Sequence, residues 1–483
     1  MADAADALSQ WRSMTSLRLP GIFDNQCNGL RSYGMIPRRV LHDLRTWRQR
    51  ADRKPLVLLG ARQVGKTTAV DTFGGEFRQY VSLNLDHPGD REIFDQGLPL
   101  SRTLEAILFL KGADPAGPDT LLFLDEIQNS PHAVQSLRYL AEERPDLAVV
   151  AAGSLLETTL ERHQISFPVG RVEFLYLYPL TFAEYAAAAF DGSSDALAEI
   201  PCPDYALSPL RRLFRDYALV GGMPEIAAGY LDHRDLGRLT RLYEGLLVSF
   251  ADDAAKYARS PAQLGQLRHV IETAPFVAGE RISYQGFGGS AYRSREMAEA
   301  LRSLERAMLL FLLHPTTATV LPALPDRRKS PRLLYLDTGL MNYRAGLQSG
   351  FLGTADLGAL YRGRLAEHLV GQELMAADLA SHRKPIFWVR AKPGATAEVD
   401  YLYAYRGRPT PVEVKSGKSG ALRSLHQFME RADHDLAVRL WDGDILLHPA
   451  RTPGGRRFRL LNLPLFLVHQ LDAYLDWAER QSG

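Results

Sequence analysis

Eight residues constrain this chain more than any others: Gly60-Ala61-Arg62-Gln63-Val64-Gly65-Lys66-Thr67 follow the apolar run Leu56-Val57-Leu58-Leu59 and precede a helical pattern. A glycine-rich turn between a buried strand and a helix N-terminus is a phosphate cradle. Its glycines let the backbone wrap an anion, the helix end directs N–H groups at it, and a lysine reaches the outer phosphates. Such a turn needs strands and helices in alternation. The chain supplies them, with apolar strands expected at 80–85, 121–124 and 148–152 and helical patterns between. That alternation predicts a parallel sheet covered on both faces, with ligands beyond the carboxyl ends of its strands.

A nucleotide in this cradle requires magnesium and an activated water. Thr67 and Asp125, the latter ending Leu121-Leu122-Phe123-Leu124, are the expected magnesium ligands, and Glu126 is the expected base for water. Gly60, Ala61, Arg62, Gln63, Val64, Gly65, Lys66, Thr67 and Thr68 form the expected ATP-binding set, with Lys66 also stabilising charge on the outer phosphate. Ser154, after Ala151-Ala152-Gly153, could contact the water. Arg171 could be an arginine finger, with an ordinary surface salt bridge as its alternative. Arg62 is expected to face solvent.

The chain has 483 residues, more than one core supports, so two or more domains are expected. Lys plus Arg (57) nearly cancel Asp plus Glu (56), so a nucleic-acid or membrane partner must be sought in local patches. Two cysteines, Cys27 and Cys202, give no disulfide framework and no metal spacing, and no apolar run is long enough to cross a bilayer. These features place the protein in the cytoplasm.

Along the chain, 1–34 reads as a loosely ordered extension with Met35 as a conceivable start, and 35–200 as the phosphate-binding core. Residues 201–349 read as a helical lid, broken at Gly221-Gly222-Met223-Pro224, followed by a winged-helix-like region. In the latter, Ile282-Ser283-Tyr284, a helix over 294–307 and the apolar run 309–313 follow in order, with Arg327-Arg328-Lys329 as a basic flank suited to nucleic acid. Residues 350–483 read as a separate α/β unit, with a helix over 361–380 and strands at 386–390, 397–405 and 410–415.

This last unit holds a second constellation. Alternation puts Glu413 and Lys415 on one strand face, and pairing through the turn Arg406-Gly407-Arg408-Pro409 brings Asp400 opposite. Two carboxylates and an ammonium can hold a hard metal ion and position water for phosphodiester hydrolysis. An exposed strand alternating Val with Glu and Lys for solubility is the competing interpretation.

From Met35 onward the sequence resembles bacterial AAA-type P-loop ATPases that carry a C-terminal domain of unknown function related to restriction-like, PD-(D/E)XK nucleases. The resemblance rests on residues 60–68, on Leu124-Asp125-Glu126-Ile127-Gln128, Gly153-Ser154 and Gly170-Arg171. It continues through Pro179-Leu180-Thr181-Phe182-Ala183-Glu184-Tyr185 and Gly221-Gly222-Met223-Pro224-Glu225. Ala61, where the family usually has Pro, and the 34-residue leader are departures. The resemblance implies an α/β fold with an AAA-type parallel sheet, helical lid, winged-helix-like segment and nuclease-like C-terminal domain. It also implies that Glu367 joins Asp400 and Glu413 as a ligand of Mg2+ or Mn2+, with Lys415 catalytic; Glu373 is a second acidic position on the same helix, rotated away. Arg364, Lys392, Arg406, Arg408 and Lys418 would suit a phosphate backbone or a solvated face. The expected function is ATP hydrolysis coupled to action on DNA. The alternative is a nucleotide-controlled protein-binding switch or scaffold whose nuclease-like domain is inactive. Homo-oligomer formation and any protein partner stay open.

Overall fold

The computed structural model describes residues 36–115, 117–154, 170–348, 359–392, 394, 396–417 and 422–481. The expectations for residues 1–34, including Cys27, and for Met35 and Lys418 fall outside them.

Strands β1 (Leu56–Gly60), β2 (Gln79–Asn84), β3 (Thr120–Asp125), β4 (Ala148–Gly153) and β5 (Glu173–Leu177) form one parallel sheet in the order β2-β3-β4-β1-β5. Strand β4 is buried along its whole length, and β1 and β3 nearly so, which is why they are continuous apolar runs and not alternating ones. Alternate residues feed two cores. Leu56, Leu58, Phe123 and Val150 pack with Trp47 and Phe73 on one face. Val57, Leu122, Leu124 and Val149 pack with Ile107 and Leu137 on the other. Helix Val40–Gln49 buries Val40, Leu41, Leu44 and Trp47, the spacing of one helix face. Strand β5 was not expected. Its Glu173-Phe174-Leu175-Tyr176-Leu177 lies on the edge and is only partly covered, so its apolar signal is weaker.

The lid begins at helix Phe182–Ala189, whose start is a capping box between Thr181 and Glu184, and continues through Asp204–Val220, Pro224–His233 and Thr240–Tyr257. The break at Gly221-Gly222 is a packing requirement. A Cβ on Gly222 would lie 2.2 Å from the Leu180 carbonyl oxygen. The Leu180 N–H donates to the Gly222 carbonyl at 2.7 Å, and the Gly222 N–H donates to Asp337 at 2.6 Å.

Helices Pro261–Val277 and Ser294–Arg306 are followed by β6 (Leu310–Leu313), β7 (Pro315–Thr316) and β8 (Arg332–Tyr335), with β6 and β8 antiparallel. This is the helix–helix–hairpin order of a winged helix. Beside Ile282, a single antiparallel bridge joins Arg281 to Arg332. The C-terminal unit adds helix Ala359–Ala376 and strands β9 (Ile386–Val389), β10 (Glu398–Tyr405), β11 (Arg408–Val414), β12 (Leu436–Trp441), β13 (Leu446–Arg451) and β14 (Arg457–Pro464). Their sheet runs β13-β14-β12-β11-β10-β9-β7. Strand β7 lies in the connection between β6 and β8 and pairs with β9, so the two units share a sheet across the boundary placed near residue 350. Among the described residues, no helix is long and apolar enough to cross a membrane.

Candidate functional site

The glycine-rich turn lies at the carboxyl end of β1 and runs into helix Lys66–Gly74, with Gly65 at φ 91°, a conformation that favours glycine. Gln63 also has positive φ (63°), as does Glu126 (51°) at the end of β3. For residues with a Cβ such backbone is costly, and it concentrates where function over-determines local geometry. Ala61 and Val64 are buried beneath the turn, whereas Arg62, Gln63, Thr67 and Thr68 are exposed and Gly65 is half-buried. The turn is fastened by Arg38, which donates to the Val64 carbonyl at 2.7 Å, to the Tyr178 carbonyl at 2.8 Å and to Glu184 at 3.1 Å. Nothing in the sequence around Arg38 marks this role, because all three contacts are tertiary.

Lys66 is buried, its ammonium donating to the Gly60 carbonyl at 3.0 Å and the Ala61 carbonyl at 2.9 Å. Burial lowers its pKa, and Glu126 and Asp125 oppose that shift. Among the described residues it has no ion-pair partner, which leaves a buried cation at a helix N-terminus suited to an anion. The Thr67 hydroxyl donates to Asp125 at 2.7 Å, and the other Asp125 oxygen accepts from the Glu126 N–H at 3.0 Å. Burial raises the Asp125 pKa against the pull of Thr67. A hydroxyl and a carboxylate in contact beside Lys66 are the oxygen donors a magnesium–nucleotide complex uses, so these residues fit that ion. Glu126 accepts from the Gln128 side-chain amide and stands at the same end of the sheet. Ser154 follows β4 at that end as well.

Two arginines stand otherwise than their sequence context suggests. Arg171 precedes Leu177, the partner of Gly60, by six residues, roughly 20 Å of extended chain, and so lies at the opposite end of the sheet. There it pairs with Glu142 at 2.7 Å, the surface salt bridge named as its alternative, and cannot serve as a finger to the loop of its own chain. Arg62 does not simply face solvent. Its guanidinium donates to both oxygens of Asp253, each at 2.8 Å, so helix Thr240–Tyr257 reaches the loop.

The C-terminal constellation assembles only in part. Tyr401 pairs with Val412, so Asp400 and Glu413 are adjacent across β10 and β11, and Lys415 bonds Glu413 at 2.7 Å. The unforeseen member is Arg332 of β8. It is buried, donates to the Asp400 carbonyl at 3.1 Å and to Glu398, and lies 3.6 Å from Glu367 and 3.7 Å from the Asp400 carboxylate. Burial opposes its charge, yet Glu367, Tyr401, Glu398 and Asp400 together raise its pKa. Burial and the neighbouring Asp400 likewise raise the pKa of Glu367 and of Glu413, one of whose oxygens is buried without a hydrogen-bond partner. Among the described residues, no three His, Cys, Asp or Glu side chains are placed to hold a metal ion. A divalent ion shared by Glu367, Asp400 and Glu413, with Lys415 acting on its water, therefore does not fit this arrangement: Arg332 already stands against Glu367 and Asp400, and the Lys415 ammonium is bonded to Glu413 itself. Glu373 turns away, as its rotation implied, to accept from the Phe182 N–H at 2.9 Å and the Tyr217 hydroxyl at 2.8 Å. Arg364, Arg406 and Arg408 are engaged by Glu280, Asp476 and Glu479 of the chain itself.

Comparison with known proteins agrees with this geometry. Residues 52–186 match a family described as an AAA domain, and residues 211–350 and 362–465 match two domains of unknown function, DUF8612 and DUF4143. The sheet order, the loop and the first match together define an AAA-type P-loop domain in the N-terminal part of the chain. Among solved structures the chain is similar to the Walker-type ATPase of Pyrococcus abyssi, at 16% identity over 67% of this chain and 99% of that one, with a TM-score of 0.42. It is similar to the ORC2 protein of Aeropyrum pernix in ADPNP–ADP complexes at 15% identity over 68% and 100% of the two chains, with a TM-score of 0.29. For DnaA of Aquifex aeolicus bound to AMPPCP the values are 10% identity, 55% and 86% coverage, and 0.26. No curated protein matches the chain significantly.

Proposed function

We propose that this chain binds ATP with magnesium, hydrolyses it, and passes its nucleotide state through the lid to the winged-helix and C-terminal units. The observation that carries the reading is the 2.7 Å Thr67–Asp125 hydrogen bond beside the buried ammonium of Lys66. Magnesium held by Thr67 and Asp125 would neutralise phosphate charge. Lys66 and the N–H groups at the start of helix Lys66–Gly74 bind the outer phosphates, and Glu126 orients the attacking water with Ser154 beside it. Pro224 lies within 3.7 Å of a Cβ built on Gly65, so the lid abuts the loop directly. Asp337 joins the lid to the winged helix through Gly222, and Glu373 joins it to the C-terminal unit through Tyr217.

Titration of the full chain with ATP, with and without Mg2+, tests this reading. Wild type is expected to bind at least about tenfold tighter with the metal, and Thr67→Ala to lose most of that gain. Equal affinities in wild type would remove Thr67 and Asp125 from the role assigned to them.

A second reading is favoured by Arg332. With Arg332 and Lys415 lodged among the acids, the C-terminal unit is nuclease-like in arrangement and idle in chemistry, and the chain acts as a nucleotide-controlled switch that presents that unit to a protein partner in the cytoplasm. If DNA is the partner instead, the exposed Arg295 and Arg302 of helix Ser294–Arg306, with Arg327 and Arg328 of the hairpin loop, carry the phosphate contacts.

A further inference from the structure

We propose that Arg62 is a built-in cation for the terminal phosphate of ATP, and that Asp253 holds it in reserve until the nucleotide arrives. This rests on the nucleotide-site reading above. Arg62 is the third residue of the loop, so its backbone is fixed beside the phosphates while its long side chain is free to swing. Its side chain is 43% exposed and lies within electrostatic reach of Glu126 and Asp86. The only group it is bonded to among the described residues is Asp253, whose two carboxylate oxygens both accept from the one nitrogen Nη1.

Asp253 is the telling partner. Its carboxylate is buried, and a buried carboxylate stripped of its cation is ordinarily strongly destabilising. Here Lys256, one helical turn later, contacts the same carboxylate at 2.9 Å. When Arg62 leaves, Asp253 keeps a counter-charge, so exchange of Asp253 for a phosphate does not strand a buried ion. A guanidinium suits the exchange, because its planar fork matches a carboxylate and a phosphate oxygen pair equally well. Since Asp253 belongs to helix Thr240–Tyr257, the exchange also releases that helix from the loop, and the lid then differs between the ATP and ADP states.

The consequences have opposite signs in two variants. Arg62→Ala removes a charge-assisted contact that only a triphosphate makes, so affinity for the non-hydrolysable analogue AMPPNP falls about tenfold while affinity for ADP stays the same. Asp253→Asn frees Arg62 without removing it, so AMPPNP binds about threefold tighter and ADP is unaffected, as expected when a competent state becomes more populated. Both are read by fluorescence titration of the full chain with AMPPNP and with ADP. Equal losses for the two nucleotides in Arg62→Ala, or none, overturn the proposal, as does weaker AMPPNP binding in Asp253→Asn, which would make the pair a mere brace for the loop. Wild type that binds neither nucleotide overturns the nucleotide-site reading itself, a distinct result.

Discussion

Lys66→Ala is expected to abolish nucleotide binding, lowering affinity by at least about a hundredfold at equal folding stability. The ammonium is buried between two loop carbonyls, with its charge supported by Glu126 and Asp125. It gives the outer phosphates a full positive charge where water is largely excluded, and such charge-assisted contacts are worth more than neutral ones. The alanine variant loses the cation and leaves the Gly60 and Ala61 carbonyls without this donor. Titration with a fluorescent ATP analogue, alongside a thermal melt to confirm folding, measures the effect. Affinity within about threefold of wild type would mean that the loop is not the binding site.

The second large effect is on stability. Arg332→Met should destabilise the chain by about 3–5 kcal/mol, the cost of breaking a buried ionic cluster by removing one partner. The methionine fills similar space but leaves Glu367 and Asp400 without the cation they share, and Glu398 with only Arg281 at 3.6 Å. Adding Glu398→Gln to Arg332→Met should recover part of that loss, because the two groups are in direct contact and their effects cannot be additive. Denaturant unfolding of the single and double variants tests this, and a loss below about 1 kcal/mol in Arg332→Met would show that the cluster does not depend on its arginine. The same cluster bears on the switch reading. DNA cleavage by wild type with Mg2+ or Mn2+, abolished in Glu413→Ala, would overturn it.

What the sequence made legible follows from how local each feature is. The loop, its flanking strand and Asp125 with Glu126 are contiguous segments whose chemistry depends on neighbours in the chain, and they could be read directly. The capping box at Thr181 and Glu184 is equally local, yet it went unread. Arg171 failed because its position depends on the register of β5 against β1, and β5 is a half-covered edge strand with little signal. Arg62 and Arg332 were misread or missed for one reason: their partners, Asp253 and the acids of β10 and the helix bearing Glu367, lie far away in sequence and belong to other units. The Asp400–Glu413 pairing was foreseen from alternation and the turn. The cation placed among those acids comes from a third segment, and no spacing rule announces it.

Hydrolysis at the P-loop is measured as phosphate release by the full chain at saturating ATP and Mg2+, with Glu126→Gln beside wild type. Steady release by wild type, with the variant still binding ATP but at least about a hundredfold slower, is the expected outcome. Release that is equal in the two proteins would contradict the role of Glu126, and no release by wild type would contradict hydrolysis at this loop.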